Sequence, residues 1–413
     1  MSQDAQGRMS RRQFVASAAT VAAATSAFPY FARGALADKT LRIGLIGSGG
    51  RGTGAVRDAY NADSNVKLVA MSDMYPDRIE ASAERLKEIV ELDARYRFAG
   101  ADGYKKVLEQ EPDYVILATP PNYRPEHFAA CIEAGAHVFM EKPIAVDPVG
   151  TRAIMEAGEK AKAKRLSVVA GTQRRHSNVY RETIRRIHDG AIGKVLSACC
   201  YWNQGQLWFR ERQPGWSEEE WMHRDWVNWC WLSGDHVVEQ HIHNVDVVNW
   251  VLGTRPEKVL AMGGRMRRVT GDQYDFFSSD FTYPDGIHVI SQCRQIHGCT
   301  NSVSEYVLGD KGHANPGGFI STIGQIEVEN PSPMVQEHKH LIEAIRNDQP
   351  INETQNVAES TLCCIMARTS AYTGKEVTWD EMMQSDLVIA KPDYELTPEN
   401  IRARIPVPGE ERA

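Results

Sequence analysis

Leu41-Arg42-Ile43-Gly44-Leu45-Ile46-Gly47-Ser48-Gly49-Gly50-Arg51-Gly52 is an apolar run that ends in a glycine-rich turn. Residues from Thr53 to Tyr60 continue with helical spacing, and Val66-Lys67-Leu68-Val69-Ala70-Met71-Ser72 reads as a second strand. Asp73 ends that strand, 21 residues past Gly52. A lone G-x-G-x-x-G is weak evidence, but a strand before it, a helix after it and an acidic residue at this distance make a dinucleotide fingerprint. Glycines permit the tight turn and let backbone N–H groups approach a pyrophosphate, while the helix N-terminus contributes partial positive charge. Asp73 would accept hydrogen bonds from the adenosine ribose diol, which favours NAD and leaves NADP open. Gly47, Ser48, Gly49, Gly50, Arg51, Gly52 and Asp73 are the candidate cofactor residues of this unit.

Two further units of the same kind follow. Asp113 to Pro120 is a strand that ends in a proline loop, Glu126 to Ala134 a helix, and Ala136 to Met140 another strand ending in Glu141-Lys142-Pro143. Alternating strands and helices with short connections predict a doubly wound parallel sheet, whose ligands bind beyond the carboxyl ends of the strands. Thr119, Pro120, Asn122, Glu141 and Lys142 occupy that edge and join the candidate cofactor set.

Downstream the pattern changes. Ser167 to Gln173 reads as a strand linking two domains, followed by Arg174, Arg175, His176, Asn178 and Tyr180. Residues 256–308 are rich in alternating strands, and helices are expected over 336–346 and 356–372, with Arg368 and Tyr372 as a surface pair on the latter. The predicted architecture is α/β: an N-terminal Rossmann sheet over 38–166 and a C-terminal α+β domain with a large, open, mostly antiparallel sheet over 167–413. Between Trp202 and Trp231 lie seven of the nine tryptophans, interspersed with Arg210, Arg212, His223, Arg224 and Asp225. Indole faces stack on the C–H surfaces of sugars. Arg175, His176, Tyr180, Trp208 and Trp229 are therefore the candidate substrate contacts.

The stretch from Gly234 to Trp250 admits two readings. As a strand, Glu239, His241 and His243 would share a face and suggest a metal. As a helix, Glu239, His243 and Asp246 share one at i, i+4 and i+7. Val238, Ile242, Val245, Val248 and Leu252 recur at helical spacing, so a helix and no metal site are expected. His243 is then a candidate acid/base, since an ordinary imidazole exchanges protons near neutrality, with Glu239 or Asp246 to orient it.

These residues together carry a resemblance. Gly47 to Gly52, Ala118-Thr119-Pro120 and Glu141-Lys142-Pro143-Ile144 make the chain similar to the glucose-fructose oxidoreductase / inositol dehydrogenase / rhizopine catabolism (Gfo/Idh/MocA) superfamily, over nearly everything past residue 39. The resemblance implies hydride transfer between NAD and a sugar or polyol, with Lys142 reaching both nicotinamide and substrate hydroxyl. It implies an acidic residue four before a His and an Asp three after it, here Glu239, His243 and Asp246. The first of these is commonly Asp in the polyol dehydrogenases, so Glu239 is a departure. It also implies a homodimer or homotetramer built on the open sheet.

The N-terminus adds a location. Ser10-Arg11-Arg12-Gln13-Phe14-Val15, a mild apolar stretch to Phe28 and Ala35-Leu36-Ala37 resemble a twin-arginine export signal over 1–37, which carries folded proteins to the periplasm. Free dinucleotide is scarce there, so a tightly held, internally recycled cofactor is expected. Two redox-neutral schemes meet that requirement: oxidation of one sugar coupled to reduction of another, and a glycoside hydrolase cycle of transient oxidation, elimination, hydration and re-reduction, with His176, Tyr180 and His243 as its acid/bases. A non-catalytic sugar- or nucleotide-binding protein is the third reading.

Composition narrows the classes. The 413 residues carry a formal net charge of −7, which argues against a nucleic-acid surface. No apolar run is long enough to span a membrane. The eight cysteines are scattered, with no Cys-x-x-Cys pair, so neither a zinc motif nor a disulfide framework is indicated.

Overall fold

The structure, a computed structural model, describes residues 39–410. The export-signal expectation falls on residues 1–37 and lies outside the described residues.

The first domain is a six-stranded sheet ordered β3-β2-β1-β4-β5-β6, all parallel. Its strands are β1 (Leu41–Ile46), β2 (Val66–Asp73), β3 (Arg97–Ala99), β4 (Tyr114–Leu117), β5 (His137–Met140) and β6 (Val168–Ala170). Every residue of β4, β5 and β6 is buried. Helices cover both faces of a parallel sheet, so its strands are apolar throughout rather than alternating. The strand expected to link the domains is β6, the last strand of the parallel sheet.

The second domain holds a nine-stranded sheet. Its strands are β7 (Val195–Gln204), β8 (Lys258–Gly264), β9 (Phe276–Tyr283), β10 (Ile287–Gln295), β11 (Ser302–Gly309), β12 (His313–Asn315), β13 (Phe319–Ile320), β14 (Gly324–Gln325) and β15 (Val377–Thr378). They run in the order β14-β13-β12-β11-β7-β10-β9-β8-β15. Only β7 and β10 pair in parallel. Burial alternates along β9 and β10, so one face packs on helices and the other is open.

The chain returns to the first domain near its end. Leu341, Ile342 and Ile345 of helix Pro333–Arg346 pack under β1, and Val357 and Ala358 of helix Thr354–Thr373 pack beside β4 and β6. Of the expected surface pair on this second helix, Arg368 is buried and Tyr372 partly buried. Arg368 donates to the carbonyls of Val146 and Gly234, both at 2.8 Å, and the Tyr372 hydroxyl donates to Asp235 at 2.5 Å. Three domain elements thus meet at one guanidinium. All eight cysteines are free thiols, six of them buried. Among the described residues no helix is long and apolar enough to cross a membrane.

Candidate active site

The glycine turn sits at the carboxyl end of β1. Gly47 has φ 95°, and a Cβ there would lie 2.6 Å from the carbonyl carbon of Ala118. A Cβ on Gly52 would lie 2.0 Å from the Gly47 carbonyl oxygen, so only glycine lets helix Gly50–Ala62 start this close to the strand. That helix begins without a side-chain cap. Among the described residues outside the local turn, no atom lies within 4 Å of a Cβ placed on Gly50, and on Gly49 only the Arg78 Nη1 does, at 3.7 Å. The result is an open cradle of backbone N–H groups at a helix N-terminus.

Asp73 closes one side. Its Oδ2 accepts from the Ser48 N–H at 2.9 Å and its Oδ1 from the Tyr75 N–H at 3.2 Å. Burial pushes its carboxyl up, against the opposing pull of Arg78. A cleft with an empty volume of about 970 Å³ runs past Gly47, Gly49, Asp73, Arg78, Thr119 and Pro120. Tight glycines, uncapped N–H groups and a carboxylate at the ribose position fit NAD.

The side chains of four expected cofactor residues point elsewhere. Arg51 bonds Asp58 and Glu337, each at 2.9 Å, and also Glu141. Arg51 and Glu141 thus tie the glycine turn to the end of β5. Asn122 lies in the turn Pro121–Tyr123, outside the lining of the cleft. The Ser48 hydroxyl is buried on the Ser72 carbonyl at 3.0 Å, which leaves only its backbone facing the turn.

Lys142 leaves β5 toward the second domain. Its Nζ donates to the Glu239 carbonyl at 2.5 Å and to Glu239 Oε1 at 2.8 Å. The carbonyl is free because the expected single helix is broken. His236–Glu239 and Ile242–Leu252 are separate helices, and the Gln240 and His241 N–H groups both donate to His236. An unbroken helix would give the Glu239 carbonyl to the N–H of His243, which instead reaches Gln240 at 3.4 Å.

His243 lies in the same place, 8% exposed, with its ring against Trp202. Its Nδ1 is sealed from solvent and has no partner among the described residues, which leaves Nε2 as the reachable nitrogen. Burial first, then the Lys142 and Arg174 cations and His241, hold its pKa well below the ordinary histidine value. Neither expected orienting carboxylate reaches it. Glu239 is taken by Lys142. Asp246 accepts from Arg175 Nε at 2.8 Å, from Arg175 Nη2 at 3.0 Å and from the Ser360 hydroxyl at 2.9 Å.

The candidate substrate contacts divide. Arg174 and Arg175 are neighbours on one 3₁₀ turn and diverge. Arg174 faces the site: it bonds Glu305 and lies over the Trp202 ring at 5.5 Å and the Tyr180 ring at 5.6 Å. Tyr180 donates to Glu305 at 3.2 Å and so stays beside the site. Arg175 faces Asp246. His176 bonds His340 at 2.7 Å and approaches Glu353 at 3.3 Å, in a different cleft. Trp229 is fully buried, edge-on to Trp221 at 5.3 Å, and is core. Trp208 is 46% exposed, edge-on to Trp226.

The tryptophan-rich segment has another place. It crosses from the second domain to the rim of the dinucleotide cleft. His223 bonds the Tyr75 hydroxyl at 3.0 Å and the Tyr123 hydroxyl at 2.6 Å, one on each side. Arg224 makes two bonds of 2.9 Å to Asp77 and lies 4.4 Å over the Tyr75 ring. Trp226 and His223 line the cleft itself. The sequence placed these residues among the tryptophans without indicating which wall they face.

Comparison with known proteins agrees with this geometry. Residues 41–170 match the family model described as "Oxidoreductase family, NAD-binding Rossmann fold", and residues 180–315 match "GFO/IDH/MocA C-terminal domain". The chain carries both domains of the Gfo/Idh/MocA oxidoreductase family. Its first domain is an NAD-binding Rossmann domain. Among curated relatives, inositol 2-dehydrogenase of Acidothermus cellulolyticus is 29% identical over 57% of this chain and 60% of its own length. Inositol 2-dehydrogenase 3 of Saccharopolyspora erythraea is 34% identical over 39% of this chain and 44% of its own. The chain thus matches less than two thirds of either relative. Among solved structures, scyllo-inositol dehydrogenase from Lactobacillus casei with bound NAD(H) and scyllo-inositol aligns with TM-score 0.63 and 19% identity, over 82% of this chain and 99% of that one. Aldose-aldose oxidoreductase from Caulobacter crescentus aligns with TM-score 0.66 and 18% identity, over 82% and 100%. These two likenesses concern the fold.

Proposed function

We propose that this member of the family oxidises a hydroxyl group of a sugar or polyol by hydride transfer to an NAD that it retains, and re-oxidises that cofactor by passing the hydride to the carbonyl of a second sugar, after twin-arginine export to the periplasm. The observation that carries the reading is the meeting of Lys142, Glu239 and His243 beyond the carboxyl edge of the nucleotide-binding sheet. The inositol dehydrogenases among the relatives support a polyol.

NAD, when bound along the glycine turn, supplies the hydride acceptor. Everything else falls to side chains. An ammonium has three N–H donors. Glu239 takes two of those of Lys142, which leaves one for the substrate hydroxyl oxygen. The neutral His243 accepts the hydroxyl proton at Nε2, the ring atom that is not sealed. Glu239 meanwhile holds the lysine in position, so the proton leaves toward the imidazole. The His223 and Arg224 contacts bridge the rim of the cleft, and that bridging supports cofactor retention.

For a partner the reading takes a second copy of this chain. By register Leu260, Ile290 and Tyr306 fall in one row on the open face of the nine-stranded sheet, and they are 53%, 37% and 42% exposed.

The test is direct. The exported protein, offered a panel of sugars and polyols, develops reduced-nicotinamide absorbance, and Lys142→Ala does not. Absence of reduction with every member, or cleavage of an aryl glycoside without net reduced cofactor, would replace the reading with a binding protein or a hydrolase respectively. Export is checked by replacing Arg11 and Arg12 with lysine, which should leave the protein in the cytoplasm.

A further inference from the structure

We propose that Trp202, pinned by a chain of side-chain amides, is the positioning residue of His243 and sets its proton affinity. This rests on the assignment of His243 to proton handling.

A catalytic imidazole is usually oriented by a carboxylate or carbonyl bonded to its second nitrogen. Here that nitrogen, Nδ1, has no partner among the described residues. The two carboxylates expected to orient it are committed, Glu239 to Lys142 and Asp246 to Arg175 and Ser360. What remains against the ring is the indole of Trp202, with centroids 5.5 Å apart and planes 26° apart. Such a stacked pair fixes the plane of the imidazole and keeps water off one of its faces.

The indole is itself held. Its Nε1 donates to Gln204 Oε1 at 2.9 Å. Gln204 Nε2 and Gln295 Nε2 both donate to Gln240 Oε1, at 3.1 and 2.8 Å. Gln295 Oε1 in turn accepts from Arg268 at 2.6 Å. Gln240 is the residue at which the helix breaks, next to Glu239. One strip of amides therefore sets both the indole behind His243 and the carboxylate that grips Lys142.

The charged groups near His243 are the cations Lys142 and Arg174, each with its carboxylate, Glu239 and Glu305, and His241 is also close. The cations disfavour a protonated ring, and the indole adds by excluding the water that would stabilise it. Removing the indole exposes the ring and raises its proton affinity.

The experiment titrates the ring directly. Histidine-labelled protein is followed by NMR, with His243→Gln assigning the resonance. Wild type and Trp202→Phe, which keeps an aromatic face, are expected to hold His243 neutral far below pH 6.5. Trp202→Leu is expected to raise the midpoint by at least about one pH unit. Unchanged titration in Trp202→Leu, or a shift equally large in Trp202→Phe, would overturn the proposal. Should Trp202→Leu fail to fold, Gln204→Leu, which leaves the indole unpinned, must raise the midpoint in its place, and an unmoved midpoint there is equally fatal. The readout needs no substrate. Loss of the functional reading would show as no turnover with an intact titration difference, and loss of the positioning role as turnover without that difference.

Discussion

Lys142 Nζ lies 2.8 Å from Oε1 of Glu239, a residue 97 positions further along the chain and in the other domain. Both side chains are nearly covered, at 12% and 13% exposure. The ion pair therefore joins the two domains at the point where cofactor and substrate must meet. Replacing Lys142 by Ala, or His243 by Gln, should lower kcat by at least about a hundredfold, the usual contribution of a positioned acid or base. Cofactor content should be unchanged in His243→Gln, whose side chain lies outside the lining of the dinucleotide cleft. Turnover and bound nucleotide measured on the same samples check this.

The rim contacts predict slow cofactor exchange. Arg224 is mostly covered but Asp77 is 61% exposed, so that bridge contributes about 1 kcal/mol at most. Adding loss of the His223 bonds to both tyrosines, the double variant His223→Ala/Arg224→Ala should release cofactor roughly tenfold faster. Dialysis of loaded protein, followed by nucleotide fluorescence, measures the rate.

How far the sequence could be read depends on how local the cause was. The glycine turn and Asp73 were legible because their roles come from backbone geometry within one βα unit. Lys142 was legible because it ends a strand on the ligand edge. The helix break at Gln240 was not, since Val238, Ile242, Val245 and Val248 suit an unbroken helix. Its cause is tertiary: Gln204 and Gln295 hold the Gln240 side chain, Ser291 holds His241 and Lys142 takes the carbonyl of Glu239. Arg174 and Arg175 show the same limit. They are alike and adjacent, and partners distant in sequence distinguish them, Glu305 for Arg174 and Asp246 for Arg175.

Asp246 should matter for stability. It is 1% exposed and is the carboxylate partner of Arg175, whose side chain is 13% exposed. Asp246→Ala leaves a nearly buried guanidinium uncompensated and should cost about 3 kcal/mol. Denaturant melts measure it, and a smaller loss is expected in the double variant Arg175→Leu/Asp246→Ala.

Buried histidines should make the fold sensitive to acid. Burial, with His236 and the Arg174 cation nearby, pushes His241 down to about 3. The folded state keeps it neutral while the unfolded chain takes up a proton below about pH 6.5. Its contribution is thus complete above pH 6.5 and is lost as pH falls from there toward 3. Asp225, pushed up to about 6 by burial, runs the other way but is the same in any His241 variant. Between pH 6 and 4.5 the stability of His241→Gln should therefore fall less steeply than wild type, by about 1.4 kcal/mol per pH unit. Parallel slopes would show that His241 is protonated in the fold.

The central claim is an NAD held in the cleft under His223 and Arg224 and recycled there. The most direct measurement is to purify the exported protein without added nucleotide, denature it and identify what is released by mass and absorbance. The account predicts NAD or its reduced form at close to one equivalent per chain. Protein that releases no nicotinamide dinucleotide, yet is folded and binds sugar, would contradict it.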